Sequence, residues 1–524
     1  MLTTEESLAL LDRIVGDRRV FAEPESANHV VAACGRLPLA VRIAGVRLAE
    51  RPGWTVASFA RRLQDNRRRI AELRAGDLAV EASFQTSYDQ LGDAQARAFR
   101  LTALPDVAEI SAQAASALLG LSLETAEELL ESLVDAGLLH SRTAGRYRYH
   151  DLLRLHARRL AAAAEPGADR AEAMSRLLDF HTATICNAFR VVSPMDTTAD
   201  RAGSAGAVGV PFTDLKSVRG WAQEERTNIL TLIAQTGQDE AIPIGKVAGL
   251  FYCATIFAAL GYGHLGFETV ARTLAGKARS RGDPRAEAIA LSQLGHALLR
   301  TGRADKAVTP LSLAIELFRA LGEDVMLAET LNLLGFIAFQ AKDFDLAATH
   351  FADACAIQRR YGDRVAEATL LGSIARVDIE RGRSEEAVAT SRRNLALFRE
   401  LGDVTGEIAT LYILGLAQHR LGRTAEAAAS FEACLDRSRS VGQPYKEGEV
   451  LLRLANLKRD AGQSADAVRL AEEALRVFRE TDNEYQAAHA LTLLGRTLPA
   501  LGQTRRARER LVEAREILTS LGLP

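Results

Sequence analysis

A small residue followed twelve positions later by an alanine recurs six times, at intervals of forty residues, in this 524-residue chain. The small residues are Gly295, Gly335, Ala375, Gly415, Ala455 and Gly495. The alanines are Ala307, Ala347, Ala387, Ala427, Ala467 and Ala507. A register held through six units without an insertion specifies stacked repeats, in which each unit buries its apolar face against its neighbours. Within a unit such as 286–325, apolar residues recur at three and four in two runs separated by a short glycine-containing turn, so each unit is two antiparallel helices. The small residues stand where a larger side chain would keep one helix from its partner. Surfaces of this kind bind; they rarely do chemistry.

Composition agrees with helix. The chain is 48% hydrophobic and 25% charged, with only 6% aromatic residues, and its apolar weight lies in Leu and Ala. A net charge of -2 gives no global attraction to nucleic acid or to an anionic membrane. Cys34, Cys186, Cys253, Cys355 and Cys434 are odd in number and widely spaced, which indicates neither a disulfide framework nor a zinc site. The N-terminus is acidic and amphipathic, and no apolar run reaches the length of a membrane span. A cytoplasmic, non-membrane protein is expected.

Four regions are expected. Residues 1–83 form a helical subdomain, with helices over 4–75 broken at Pro24-Glu25-Ser26 and interrupted near Gly35 and Pro38. Residues 84–164 hold three helices (around 91–103, 110–119 and 122–137), an extended Gly-centred stretch and a helix from Asp151, which is the outline of a winged helix. Residues 165–245 form a helical linker with a mobile, Gly/Ala/Ser-rich loop near 193–212. Residues 246–524 form the solenoid, one degenerate unit of about 246–285 preceding the six regular ones.

The repeats resemble the tetratricopeptide family, in which Leu-Gly in the first helix is followed by Ala, an aromatic and Ala in the second, as Leu334, Gly335, Ala347, Phe351 and Ala354 stand here. Three units depart from the pattern. Lys342 replaces a turn glycine, Ser391 and Asn394 occupy positions expected to be apolar and suggest a polar notch, and Pro499 enters the first helix of the last unit and should kink it. The resemblance implies a concave groove lined by first-helix residues near the small position: His296, Asn332, Phe336, Arg376, Tyr412, Asn456 and Arg496. Such a groove suits an extended peptide or another domain; the alternative is that these side chains merely solvate the inner surface.

Gly261, Gly263 and Gly266 spell G-x-G-x-x-G, but the dinucleotide fingerprint needs a strand before it and a strand-helix-strand unit around it. Counting back forty from the turn at Gly302 lands on Tyr262, so these glycines belong to a turn between repeat helices.

The N-terminal third carries three landmarks: CGRLPLAVRIAGVRLAERPGW, FQTSYDQLGDAQARAFRLTALP and RYRYHDLLRLHARRLA. Together they resemble the nucleotide-switch proteins called NB-ARC or STAND ATPases, and more closely the AfsR-type bacterial regulators that join such a switch to tetratricopeptide repeats. Gly35, Leu37, Pro38, Leu39 and Ala40 match the Gly-Leu-Pro-Leu-Ala landmark, with Arg36 inserted. Tyr149, His150 and Asp151 match the Met-His-Asp landmark, with Tyr in place of Met. The segment around Trp221, Glu225, Arg226 and Asn228 resembles the joint between switch and repeats. The resemblance implies that Pro38 packs on adenine and His150 touches the terminal phosphate of ADP.

No G-x-x-x-x-G-K-[ST] occurs; the two Gly-Lys pairs, at 245–246 and 276–277, are followed by Val and Ala. The cradle of backbone N–H groups and lysine that holds phosphates and magnesium is therefore missing. The chain is expected to start inside the switch module, leaving Pro38 and His150 as vestigial nucleotide contacts and no cofactor, with ADP a ligand only if the missing half is supplied. For His150 an alternative is structural, with Asp151 capping the following helix. The helix that would read DNA, Ser122–Gly137, carries Glu124, Glu127, Glu128, Glu131 and Asp135 and no basic residue, which makes direct DNA binding unfavourable. The run Arg67–Arg69, with Arg61 and Arg62, reads as a solvated helix face.

The resulting expectation is an all-α protein, a winged-helix-containing N-terminal part followed by a tetratricopeptide-repeat solenoid. It would be non-enzymatic and regulatory, acting in transcriptional regulation, with the repeats binding a protein or signal partner or docking on the winged helix. The alternatives are an ADP/ATP-binding STAND ATPase whose P-loop half is absent, and a DNA-binding regulator.

Overall fold

The protein is described by a computed structural model over residues 2–16, 19–64, 74–75, 78–192, 206–260, 266–481 and 483–521. By internal contacts the chain divides into two compact units. One is Met1–Thr184 with Ser204–Val210 and Glu224–Leu250; the other is Ile185–Gly203 with Pro211–Gln223 and Phe251–Pro524.

The first unit opens with helix Thr4–Val15, started by a capping box between Thr3 and Glu6. The expected break at Pro24 is instead a beginning: Pro24 is the first residue of helix Pro24–Ala33, where its missing N–H costs nothing. Gly35 and Arg36 then take left-handed conformations, φ 60° and 57°, and Pro38 opens a second helix, Pro38–Ala49. Two residues fasten these elements. Arg19 donates to the carbonyls of Leu48, Arg51 and Trp54, satisfying a helix C-terminus, while the Glu23 carboxylate accepts from the N–H groups of Val56 and Ala57 at the start of helix Val56–Gln64. Leu11, Ile43, Leu48 and Phe59 are fully buried between them.

Residues 74–75 depart from the helical expectation: β1 (Arg74–Ala75) pairs antiparallel with β2 (Leu78–Ala79). Helix Val80–Tyr88 follows. Arg67, Arg68 and Arg69 lie outside the described residues, as do 193–205 of the segment expected to be a mobile loop.

Between 93 and 164 the order is helix Asp93–Thr102, β3 (Ile110–Ser111), helix Ala112–Leu119, helix Leu123–Asp135, β4 (His140–Thr143), β5 (Arg146–Arg148) and helix Asp151–Ala164. The strands form an antiparallel sheet of order β3-β5-β4. Ser111 and Ser122 cap the helices they precede. The Tyr149 hydroxyl bonds the Phe99 carbonyl and Thr102 at 2.5 and 2.8 Å, tying the end of the hairpin to the first of these helices. Of the expected joint, Glu225 accepts from Arg146 at 2.6 Å and Asn228 bonds both Ala108 N–H and Glu109 C=O, within the first unit. Trp221 stacks on Phe257, with centroids 5.9 Å apart, within the second.

In the second unit the repeats are helix pairs. First helices are Pro284–Arg300, Asp324–Gln340, Arg364–Glu380, Val404–Arg420, Pro444–Asp460 and Glu484–Thr497; second helices are Ala304–Leu321, Phe344–Arg360, Ser384–Leu401, Thr424–Ser440, Ser464–Glu480 and Thr504–Ser520. A Cβ on Gly295 would lie 2.3 Å from Leu311, on Gly335 2.5 Å from Phe351, on Gly415 2.6 Å from Phe431, and on Gly495 2.4 Å from Leu511. Each partner lies sixteen residues on. Where the small residue is alanine, at 375 and 455, position sixteen is small as well, Ser391 and Ala471. Their bulk moves two turns along the same helix, to Phe398 and Phe478, which press on Gly406 and Gly448. In the third and fifth repeats the bulky contact therefore sits elsewhere on the second helix than in the other four.

This explains Ser391 and Asn394. They are not a surface notch: both are buried, Ser391 as the small partner of its unit, Asn394 with its amide donating to the Ala368 carbonyl at 2.7 Å. Lys342 takes the left-handed conformation of the glycine it replaces, φ 62°. Pro499 does not kink a continuous helix: Glu484–Thr497 stops before it and a 3-10 turn, Leu498–Leu501, completes the element. Gly261 and Gly263 lie outside the described residues; Gly266, left-handed, directly precedes helix Phe267–Ser280, which falls in the phase of the second helices.

Candidate functional site

The first helices present one face to a common cavity of about 330 Å3. It is lined by Tyr412 from the fourth repeat, by Glu449, Leu452, Arg453, Asn456 and Arg459 from the fifth, and by Tyr485, Gln486, His489, Thr492, Leu493 and Arg496 from the sixth. No second-helix residue takes part. Spacings of three and four along each first helix put these side chains on one stripe, and the packing of Gly415 on Phe431 and Gly495 on Leu511 seats the helices that carry them.

Of the seven groove residues expected from sequence, the structure gathers three here, Tyr412, Asn456 and Arg496. Two more meet in the preceding repeats: the Arg376 guanidinium lies 4.9 Å from the Phe339 ring centroid and 5.8 Å from that of Phe336. Asn332 is half-buried with its carbonyl oxygen lacking a hydrogen-bond partner. His296 is half-buried in the first repeat. Sequence reasoning missed Arg453, His489, Tyr485 and Lys446. Arg453 stands two residues from Ala455, whereas His489, Lys446 and Tyr485 stand six to ten residues before the small residue of their helices, where a longer window along each first helix would have found them.

Tyr412 is the hub of the cavity. Its hydroxyl accepts from Arg453 Nε at 2.9 Å, and its ring lies 4.4 Å from Lys446 Nζ. Burial lowers the affinity of Lys446 for its proton, but the Glu449 carboxylate at 2.5 Å more than restores it and holds the ammonium above its ordinary pKa. Burial, with the Arg453 charge beside it, keeps His489 below the ordinary imidazole value; its ring meets Tyr485 edge-on at 4.7 Å.

The two landmark segments of the N-terminal part also meet, at Gly35 and His150. His150 Nδ1 accepts from Leu152 N–H at 3.3 Å, and Nε2 lies 2.7 Å from the Gly35 carbonyl. With Nδ1 an acceptor, Nε2 carries the proton and donates to Gly35. His150 itself is thus the helix cap, and Asp151 is the first helical residue rather than the cap. A Cβ on Gly35 would fall 1.9 Å from the His150 ring, so no other residue fits there. Burial holds His150 below its ordinary pKa. Pro38, three residues beyond Gly35, opens its helix. Both ring nitrogens of His150 are engaged within the protein.

The stacked helix pairs define the class of the C-terminal region: the tetratricopeptide repeat family matches residues 286–360, 364–440 and 447–520, each match spanning two helix pairs. Over 348 residues the chain is 38% identical to the regulatory protein AfsR of Streptomyces coelicolor, a match covering 66% of this chain and 35% of the relative. It is 42% identical over 340 residues to AfsR of Streptomyces griseus, covering 64% and 35%. The chain is thus similar to AfsR over about two thirds of its own length and carries tetratricopeptide repeats in its C-terminal region, and it spans about a third of the length of these curated relatives. In fold it is similar to a signal transduction ATPase with numerous domains from Pyrococcus horikoshii that has a tetratricopeptide repeat sensor, with a TM-score of 0.59 and 15% identity over 92% of this chain and 66% of that one. Among the described residues no helix is long and apolar enough to cross a membrane.

Proposed function

We propose that this chain is a non-catalytic regulatory protein, in which the inner face of the repeats binds a protein or peptide partner and residues 1–164 are a remnant switch module containing a winged helix. The observation that carries the first part is the convergence of twelve first-helix side chains on one polar, aromatic-walled cavity, together with the homology to regulatory proteins. The winged-helix reading is supported by the order of three helices and an antiparallel hairpin joined by β3. Its second long helix, Leu123–Asp135, lines a shallow surface with Glu124, Glu127, Glu128 and Glu131, which repels phosphate and argues for a protein-facing rather than DNA-facing role.

For the nucleotide, the reading is that this chain does not hold ADP by its own residues, since the sequence has no phosphate loop and the His150 ring nitrogens are satisfied within the protein. A photo-crosslinking residue in place of Tyr412 should trap a discrete partner in the source cell, while one in place of Arg508 on a second helix should not. Equal labelling from both positions, or none from 412, would count against the groove.

A further inference from the structure

We propose that the start of helix Leu215–Thr236 is a clasp on the solenoid: through Arg219 it bonds the turn that opens the fifth repeat and fixes the curvature of the array, which relaxes when the bond breaks. The part of this helix up to Gln223 belongs to the second unit. Asp214 caps it, accepting from the Ser217 N–H at 2.8 Å. Val218 and Ala222 are fully buried, and the Trp221 ring packs on both Phe212 and Phe257, with centroids 5.5 and 5.9 Å away. The helix is thereby anchored beside the degenerate unit, ahead of the first regular repeat. From that anchor the Arg219 guanidinium donates to the Gly442 carbonyl, 223 positions along the chain.

Repeats that touch only their nearest neighbours make no contact of this reach. Nor does the contact belong to the repeat pattern. Gly282, Gly322, Gly362, Gly402 and Gly442 hold the same place in successive inter-repeat turns, all left-handed with φ between 62° and 72°. A Cβ on any of the first four would meet open space, whereas on Gly442 it would lie 2.7 Å from Arg219 Nη1. The array therefore curls far enough to bring the fifth repeat back beside residues that precede the first. A second observation agrees. Burial holds the Tyr445 hydroxyl above its ordinary pKa, and the charge of Arg300, at the end of the first helix of the first repeat, is among those that oppose the rise.

The acceptor is a neutral carbonyl just past a helix C-terminus, where the helix dipole favours a cation. One such bond biases the shape without locking it. The turn it holds is the joint between the repeat that carries Tyr412 and the repeat that carries Lys446 and Arg453. The Arg453–Tyr412 bond and the Lys446–Tyr412 contact both cross that joint, so a change of curvature there alters how these first helices meet.

The test is a distance measurement by pulsed electron paramagnetic resonance on the full chain, with spin labels on Lys216→Cys and Ser440→Cys. Both positions are exposed, and the five native cysteines are buried. With Arg219 in place the labels should give one narrow distance distribution. Arg219→Met keeps the stem and removes the donor. It should shift the ratio of clasped to unclasped chains about tenfold and add a longer distance, with a larger radius of gyration by small-angle scattering of the unlabelled chain. Arg219→Lys keeps a donor and should return the short distance, and it carries the test should the Met variant unfold. Gly402→Ala, at the equivalent but open turn, should leave the distance as it was. A broad distribution with Arg219 in place would overturn the clasp, and so would an Arg219→Met chain whose distances and scattering match the parent.

Discussion

At the scale of single residues, the repeat is a rule about volume. Gly415 is small because Phe431 fills the space its side chain would occupy, and Ala455 is permitted because Ala471 does not. Gly415→Ala should cost about 1–3 kcal/mol by overpacking. In a Phe431→Ala background the same change should cost almost nothing, because the void left by the ring accepts the methyl. A double-mutant cycle read by urea denaturation checks this, and additive costs would refute the pairing. Lys342 invites the opposite substitution. It holds a left-handed φ that disfavours side chains by about 1–2 kcal/mol, so Lys342→Gly should raise stability by about 1 kcal/mol, seen as a higher denaturation midpoint. The small positions were legible in the sequence from their spacing alone. Their partners were not, because a sixteen-residue separation across a turn becomes a contact only when two helices pack.

At the scale of elements, turns and buried polar groups set which helices are coupled. Glu407 lies at the start of its helix with its carboxylate 4% exposed, and takes Arg399 at 2.7 Å and Arg437 at 2.9 Å. Glu407→Gln should cost about 1–3 kcal/mol, less than a fully buried pair because both arginines are half exposed. Breaking the exposed Arg505–Glu509 pair should leave the denaturation midpoint unmoved. In the first unit, His156 on helix Asp151–Ala164 has both ring nitrogens buried without a hydrogen-bond partner, and His181 on helix Gly167–Val192 has its Nδ1 buried likewise. Burial lowers the pKa of each. Between the folded value and the ordinary one near 6.5 the unfolded chain binds more protons, so stability present above about pH 6.5 is lost as pH falls through the folded values. Thermal melts from pH 7.5 downwards should show this loss, and His181→Phe should flatten it; a pH-independent midpoint would contradict the assignment. Helix starts at Pro24 and Pro38 were partly misread from sequence, because a proline that ends one helix and one that begins the next look alike until the backbone is placed.

At the scale of the whole molecule, the solenoid is held together by nearest neighbours, so stability should grade along it. Helix Ser464–Glu480 buries eight residues, whereas the last helix, Thr504–Ser520, buries only Ala507 and Ala514. Amide exchange is expected to be fastest in Thr504–Ser520 and slowest in the central repeats, and uniform protection through the array would show that the units fold as one body.

The forty-residue phase, the turn positions and the close approach of paired helices follow from the sequence by itself, since periodic small residues admit one kind of stacking. Three things were decided only by tertiary structure. The side chain that fills the space at each small glycine is set by the packing of two helices, His150 reaches the Gly35 carbonyl across 115 positions of chain, and side chains from three first helices converge on one cavity. Each depends on which side chains share a space, and local spacing carries no record of that.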